Sequence, residues 1–330
     1  MKTVVYSCPF VPAEWIAAHG FGPKRIIPSI DHDRAPSGLT QGLCPYADAF
    51  TGEAVADSRL GAIIFTTVCD QMRRIPDTRT SRTETPLFVL NVPATWETAS
   101  VHKLYRNEIL RLGRFLCTLG GERPNNERLA SIVLDYDRRR SELRSLRDRM
   151  TARQFSEKIA AFHRDGSLES DFDPPSGPTG AGARPTPIAL AGGPMLRHHF
   201  DLFDIVEDAG GTIVLDATGT GERTIPPPVD RRLAREDPLA ALADVYFGRI
   251  PDAFRRPNSE LYIWLKKEFA QRGVEAVLYV RHTWCDTWQA EAMRMKEWCG
   301  LPFLTIESGG DSHVDGRTLS RIQSFMEVVR

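Results

Sequence analysis

Residues 61–71 read Gly61-Ala62-Ile63-Ile64-Phe65-Thr66-Thr67-Val68-Cys69-Asp70-Gln71. The first six are a short apolar run of the kind that forms a strand buried on both faces. Two similar runs flank it, Thr3–Tyr6 on one side and Pro86-Leu87-Phe88-Val89-Leu90-Asn91 on the other, with a short helical stretch from Pro12 to His19 ending near Gly20. Short apolar strands alternating with helices predict a mostly parallel sheet, so residues 1–95 read as an α/β module.

Beyond Thr95 the period changes. Val101, Leu104, Ile109, Leu112 and Leu116 mark an amphipathic helix stopped at Gly120-Gly121. Asn125-Asn126 can cap a second helix carrying Leu129, Ile132, Val133 and Tyr136. Its continuation, Arg138 to Arg153, holds seven Arg and reads as a solvated helix face. A helical segment is therefore expected over 96–170. Pro174-Pro175, Gly177-Pro178 and Gly180-Ala181-Gly182 give residues 171–187 the composition of a linker. From 188 to 330 the α/β rhythm resumes. Strands are expected at Ile188–Ala191, Thr212–Leu215, Ala276–Val280 and Phe303–Ile306, and helices at Leu196–Ala209, Ser259–Arg272, Gln289–Trp298 and Leu319–Val329. The expected fold is thus α/β, with two Rossmann/flavodoxin-like modules on parallel sheets and a helical segment between them. The two halves could be related modules.

The chain has 330 residues, enough to bury a large core without disulfides. Lys+Arg 42 against Asp+Glu 43 leave a net charge of −1, which argues against a nucleic-acid partner. No stretch approaches the roughly 20 apolar residues that span a bilayer, and the start has no signal-peptide pattern, so a cytoplasmic location is expected. In that compartment disulfides are rare, which leaves Cys8, Cys44, Cys69, Cys117, Cys285 and Cys299 as buried hydrophobes, metal ligands or redox groups.

Ligands of open α/β sheets bind beyond the carboxyl ends of the strands. Cys69 stands there after the strand 61–66, and Cys285 after the strand ending at Val280. Cys44, in Gly42-Leu43-Cys44-Pro45-Tyr46, lies in a loop that opens a helix. Cys69 and Cys285 belong to different modules, so a cleft between the modules could gather all three. Three thiolates without a C-x-x-C spacing fit neither structural zinc nor a ferredoxin, but they suit a centre with one open coordination position. Ordinary core thiols remain the alternative on these residues alone. Cys117 and Cys299 read as core. Cys8, after the first strand, could line the same edge as Cys69.

Other motifs carry less. Gly219-Thr220-Gly221 lacks the third glycine of a dinucleotide loop and precedes Pro226-Pro227-Pro228, so a plain loop is expected. Adjacent His198 and His199 would point to different helix faces, which suits surface positions. No G-x-S-x-G, H-E-x-x-H or P-loop is present.

Almost end to end, the sequence resembles the 2-hydroxyacyl-CoA dehydratase component D / benzoyl-CoA reductase family. The resemblance lies in Tyr6-Ser7-Cys8-Pro9-Phe10-Val11-Pro12-Ala13-Glu14, in Leu43-Cys44-Pro45, and in Cys69-Asp70-Gln71-Met72-Arg73-Arg74. It continues through Asp237-Pro238-Leu239-Ala240-Ala241-Leu242-Ala243, Cys285-Asp286, Leu301-Pro302-Phe303-Leu304 and Ser320-Arg321-Ile322-Gln323-Ser324-Phe325-Met326-Glu327. It implies that Cys44, Cys69 and Cys285 bind a 4Fe–4S cluster in the cleft between the modules. Cys8, Asp70, Arg73, Trp284 and Asp286 would stand around it, with Trp284, Trp288 and Phe65 excluding water, although helix capping is the plainer reading of Asp70 and Asp286.

The implied function is that of an iron–sulfur subunit in a low-potential reductase or dehydratase acting on acyl-CoA thioesters by single-electron, radical chemistry. Such a lyase or oxidoreductase would be oxygen-sensitive. It would pair with a homologous subunit, or with itself, and draw electrons from an ATP-dependent iron–sulfur activator protein. Two alternatives accompany it: a homodimeric reductase of small molecules holding an 8Fe–9S double-cubane cluster, and a non-catalytic electron-relay subunit. One departure is Asp252, in Arg249-Ile250-Pro251-Asp252, where many members have Cys. No acid or base residue is assigned.

Overall fold

Seven of the eight described strands fall where the apolar runs lie, and the computed structural model describes residues 1–30, 42–79, 83–168, 184–311 and 313–330. The first half runs β1 (Thr3–Tyr6), α1 (Ala13–Ala18), β2 (Gly22–Arg25), α2 (Pro45–Ala56), β3 (Leu60–Thr66), α3 (Asp70–Arg79) and β4 (Leu87–Leu90). The helices α4 (Ala99–Thr118), α5 (Asn126–Ser145) and α6 (Ala152–Asp165) follow. The second half runs β5 (Thr186–Gly192), α7 (Asp201–Asp208), β6 (Gly211–Ala217), α8 (Arg231–Glu236) and α9 (Pro238–Ala243). It then continues through α10 (Ser259–Arg272), β7 (Ala276–His282), α11 (Asp286–Cys299), β8 (Phe303–Ser308) and α12 (Gly316–Val329). Among the described residues no helix is long and apolar enough to cross a membrane.

Both sheets are parallel and share one topology. The first has the order β2-β1-β3-β4 and the second β6-β5-β7-β8. Each is the doubly wound order of the flavodoxin-like α/β fold, whose ligand crevice lies where the winding reverses, between β1 and β3 or between β5 and β7. The strand the sequence did not announce is β2, Gly22-Pro23-Lys24-Arg25. It occupies a sheet edge, where a proline without an N–H and two cations are tolerated.

Alternation along the strands decides which core each side chain joins. Val4, Tyr6, Ala62 and Ile64 pack outward against α1, α4 and α5. Val5, Ile63 and Phe65 face the other way, into an apolar cluster that also takes Ala189, Leu215, Val277 and Tyr279 from the second sheet. Phe50 of α2, Leu261 and Leu265 of α10 and Met295 of α11 fill the space between. The modules therefore share a core. The first module's outer core is closed by Leu242 of α9 with Tyr246 and Phe247 of the π turn Asp244–Gly248.

Several expectations need correction. Cys117 is exposed, because α4 turns that position to solvent, and Cys299 is half-buried rather than core. His198 and His199 start a 3₁₀ turn, not a solvated helix face. His199 is buried, its Nδ1 accepting the Leu196 N–H at 3.2 Å. The Arg-rich stretch is broken by a turn before α6. Within it Arg140 is fully buried, its guanidinium paired with Glu14 of α1. Of the expected linker 171–187, residues up to 183 lie outside the described residues, and Thr186 and Pro187 already belong to β5.

Candidate functional site

Three cysteines stand where a chain enters a helix. After β3 the backbone makes one turn, and the Cys69 carbonyl accepts the Arg73 N–H at 3.0 Å, the first bond of α3. At the corresponding place after β7, Cys285 caps α11: its carbonyl accepts the Gln289 N–H at 2.8 Å, and its own N–H donates to the His282 carbonyl at 3.1 Å. Cys44 caps α2, with Pro45 at the first helical position, where its fixed φ suits a helix start. The pair Cys69-Asp70 thus recurs as Cys285-Asp286 in the second sheet, and Cys44 enters from the β2–β3 connection.

Each sulfur faces the open N–H groups of its own helix. Those of Tyr46 and Ala47 point at Cys44, those of Gln71 and Met72 at Cys69, and that of Trp288 at Cys285. The helix dipole and these donors favour a thiolate at such a position. Burial opposes them. It pushes the Cys44 thiol up to about 11, and raises Cys69 and, further, Cys285. The thiols also raise one another, Cys69 acting on Cys44 and both acting on Cys285. Cys44 and Cys285 lie in the shared apolar cluster with Cys69 packed against it, and the Cys44 N–H donates to Gln71 Oε1 at 3.4 Å. The fold thus brings the three thiols of the two modules together. Among the described residues, no group of three His, Cys, Asp or Glu side chains is gathered tightly enough to hold a metal ion.

The surrounding residues divide. Asp70 and Asp286 are exposed and occupy the first helical turns; the cysteines themselves stand at the cap positions. Arg73 turns to solvent and pairs with Asp70 at 2.9 Å. Trp284 is 59% exposed with φ of 65°, a left-handed conformation that bulky residues seldom adopt. That turn lets the chain leave β7 and present Cys285 as the cap. Cys8 is half-buried beside Thr66, and burial pushes its thiol up to about 11. Trp288 and Phe65 are buried in the shared cluster.

Two buried arginines beside this site carried no signal in an Arg-rich sequence. Arg25, at the end of β2, crosses between the modules. Its Nε donates to the Ser7 carbonyl at 2.9 Å, Nη1 to Thr224 Oγ1 at 3.0 Å and Nη2 to the Gly219 carbonyl at 2.8 Å. Arg223 pairs with Asp252 at 2.6 Å and lies 4.7 Å over the Trp288 ring. Gly219-Thr220-Gly221 is the plain loop expected: Asp216 accepts the Thr218 N–H and hydroxyl, and a Cβ on Gly221 would collide with Asp216.

The family model described as 2-hydroxyglutaryl-CoA dehydratase, D-component, matches the chain twice, over residues 8–166 and 167–329. Comparison with curated proteins gave no match. The two matched stretches correspond to the two halves that repeat one sheet topology.

Proposed function

Because the chain belongs to the 2-hydroxyglutaryl-CoA dehydratase D-component family, and so to the components of acyl-CoA dehydratase systems, we propose that Cys44, Cys69 and Cys285 hold a 4Fe–4S cluster between the modules. The observation that carries this reading is the meeting of three thiols at three helix N-termini in one apolar cluster. Ligands of a single ion must crowd round it. A polynuclear cluster takes each thiolate on a different iron, so more widely spaced sulfurs suit it. Thiols whose burial opposes the free thiolate are the kind a metal deprotonates on binding. Bound there with one iron free of protein ligands, a cluster would supply low-potential single electrons and a Lewis-acid position for a thioester carbonyl.

The chain's own residues would do the rest. N–H groups of α2, α3 and α11 donate to the sulfurs and tune them. Trp288 and Phe65 keep water out. Arg25 and Arg223 place positive charge beside a negatively charged centre. Asp252 fixes Arg223, at a position where the family often has Cys. The reaction would be the one-electron, ATP-activated dehydration or reduction of an acyl-CoA thioester, carried out with a homologous subunit or a second copy of this chain and an iron–sulfur activator.

The test is iron and sulfide content with EPR on anaerobically prepared protein. About four irons per chain are expected, lost in Cys44→Ser and Cys285→Ser and kept in Cys117→Ser. A folded, iron-free chain, or iron retained after all three cysteines are replaced, would overturn the assignment. About eight irons would instead indicate the double-cubane cluster.

A further inference from the structure

Two outer sheet edges are closed by the same arrangement of side chains. Along β4 the Leu90 carbonyl faces β3, where it accepts the Thr67 N–H at 3.2 Å, so Val89 and Asn91 turn their backbone groups outward. The Val89 carbonyl accepts Arg111 Nη2, and the Asn91 N–H donates to Glu108 Oε2 at 3.0 Å. Arg111 and Glu108, one turn apart on α4 and paired at 2.7 Å, thus supply the donor and the acceptor that a neighbouring strand would. β6 repeats the pattern. Its Val214 carbonyl accepts Arg147 and Arg272, its Asp216 N–H donates to Glu222 Oε1 at 3.4 Å, and Glu222 pairs with both arginines. Such edges take no further strand without breaking an ion pair.

β8 holds in the second sheet the place that β4 holds in the first, and α12 follows it as α4 follows β4. Here the arrangement is half built. The Ser308 carbonyl faces β7, accepting the Thr283 N–H at 3.0 Å, so Thr305 and Glu307 turn their backbone groups outward. Arg321 Nη2 of α12 donates to the Thr305 carbonyl at 2.9 Å. No carboxylate accompanies it. Arg317, Ser320, Arg321, Ser324 and Phe325 of α12 form, with Leu304 of β8, a groove beside the strand that holds two cations and no acid. Val328, 82% exposed, continues the same helical stripe. The outward N–H groups of Thr305 and Glu307 have no acceptor among the described residues.

We propose that the β8 edge is a docking site for an extended acidic segment of a partner protein, which adds to the sheet as a fifth strand and sets its carboxylates against Arg317 and Arg321. Main-chain hydrogen bonds to Thr305 and Glu307 would supply affinity, and the groove would select the side chains. The group that β4 receives from Glu108 and β6 from Glu222 would here come from the partner. A second copy of this chain, paired edge to edge about a twofold axis, would set Arg317 and Arg321 against their own counterparts, so the charge favours a different chain. The site is independent of the cluster assignment, and either can fail without the other.

Fluorescence anisotropy of an end-blocked, labelled heptapeptide of alternating Val and Glu, titrated with the full chain, tests it. A dissociation constant near or below about 0.1 mM is expected, and one roughly tenfold weaker or more with Lys in place of Glu. On binding, hydrogen exchange should slow at Thr305 and Glu307 and stay unchanged at Asn91. Thr305→Pro deletes one outward N–H, a change an edge strand tolerates, and Arg321→Glu supplies the absent carboxylate; each should weaken binding roughly tenfold or more. Should either variant fail to fold, Ser324→Phe, at an exposed position of the groove, should weaken binding likewise. Cys44→Ser should bind as the unaltered chain does. No saturation at about 0.5 mM, equal affinity for the Lys peptide, or unchanged exchange at Thr305 and Glu307 would overturn the proposal. So would a dimer of the chain that Thr305→Pro dissolves.

Discussion

At the scale of single residues, burial decides which groups are sensitive. His199 lies under the His198 and His282 rings, with centroids at 4.2 and 5.5 Å. Burial first, and then the neighbouring rings, pushes its imidazole well below the ordinary range. An imidazole held neutral in the fold but free to protonate when unfolded leaves stability intact above the unfolded value of about 6.5 and removes it as the pH falls through that value. The expected outcome is a Tm that declines from pH 7 to pH 5, with His199 contributing up to about 1.4 kcal/mol per pH unit. His199→Asn keeps an acceptor for the Leu196 N–H and should flatten the decline. An unchanged slope in thermal melts would remove His199 from the account. Arg140 shows the opposite lesson: its neighbours in sequence read as a solvated face, and only its contact with Glu14, far away in the chain, makes it a core residue.

At the scale of elements, the starts of helices carry both stability and chemistry. Asn125 caps α5 as its position suggested, Oδ1 accepting the Arg128 N–H at 2.8 Å. α6 opens with a capping box: Thr151 Oγ1 accepts the Gln154 N–H at 3.2 Å, and Gln154 Oε1 accepts the Thr151 N–H at 3.0 Å. Replacing Thr151 by Ala should cost about 1 kcal/mol, read as a shift in the urea midpoint with unchanged slope. A cost within experimental error would mean that packing alone holds α6. That helix is worth holding, since Ser156 on it donates to the buried Asp216 of β6 at 2.8 Å and ties the helical segment to the second sheet. The same logic places the thiols: a cysteine at a helix start meets open N–H groups that a cysteine in the last turn of a helix, such as Cys117 of α4, does not.

At the scale of the molecule, the two sheets repeat one topology but do not have separate cores. One apolar cluster runs from Val5 and Phe65 through Phe50 to Leu215 and Tyr279. Leu242 and Phe247, from the second half of the chain, close the first half's outer core. Removing either half would expose the apolar surface of the other. Calorimetry should therefore record one unfolding transition, coincident with the loss of far-UV and near-UV dichroism. Two resolved transitions would show that the shared cluster contributes less than each module's own packing.

Local pattern in the chain was enough for the α/β class, seven of the eight described strands, most of the described helices, and the three cysteines worth watching. Apolar runs, capping residues and strand-end positions are local signals, written within a few residues of where they act. The edge strand β2 escaped because an edge needs neither apolar faces nor every N–H. Whether Cys44, Cys69 and Cys285 meet, which arginines are buried beside them, and that Arg140 pairs with Glu14 in the core were decided by the tertiary structure alone. These are contacts between residues tens to hundreds of positions apart, and no local pattern records which distant partner a side chain will find.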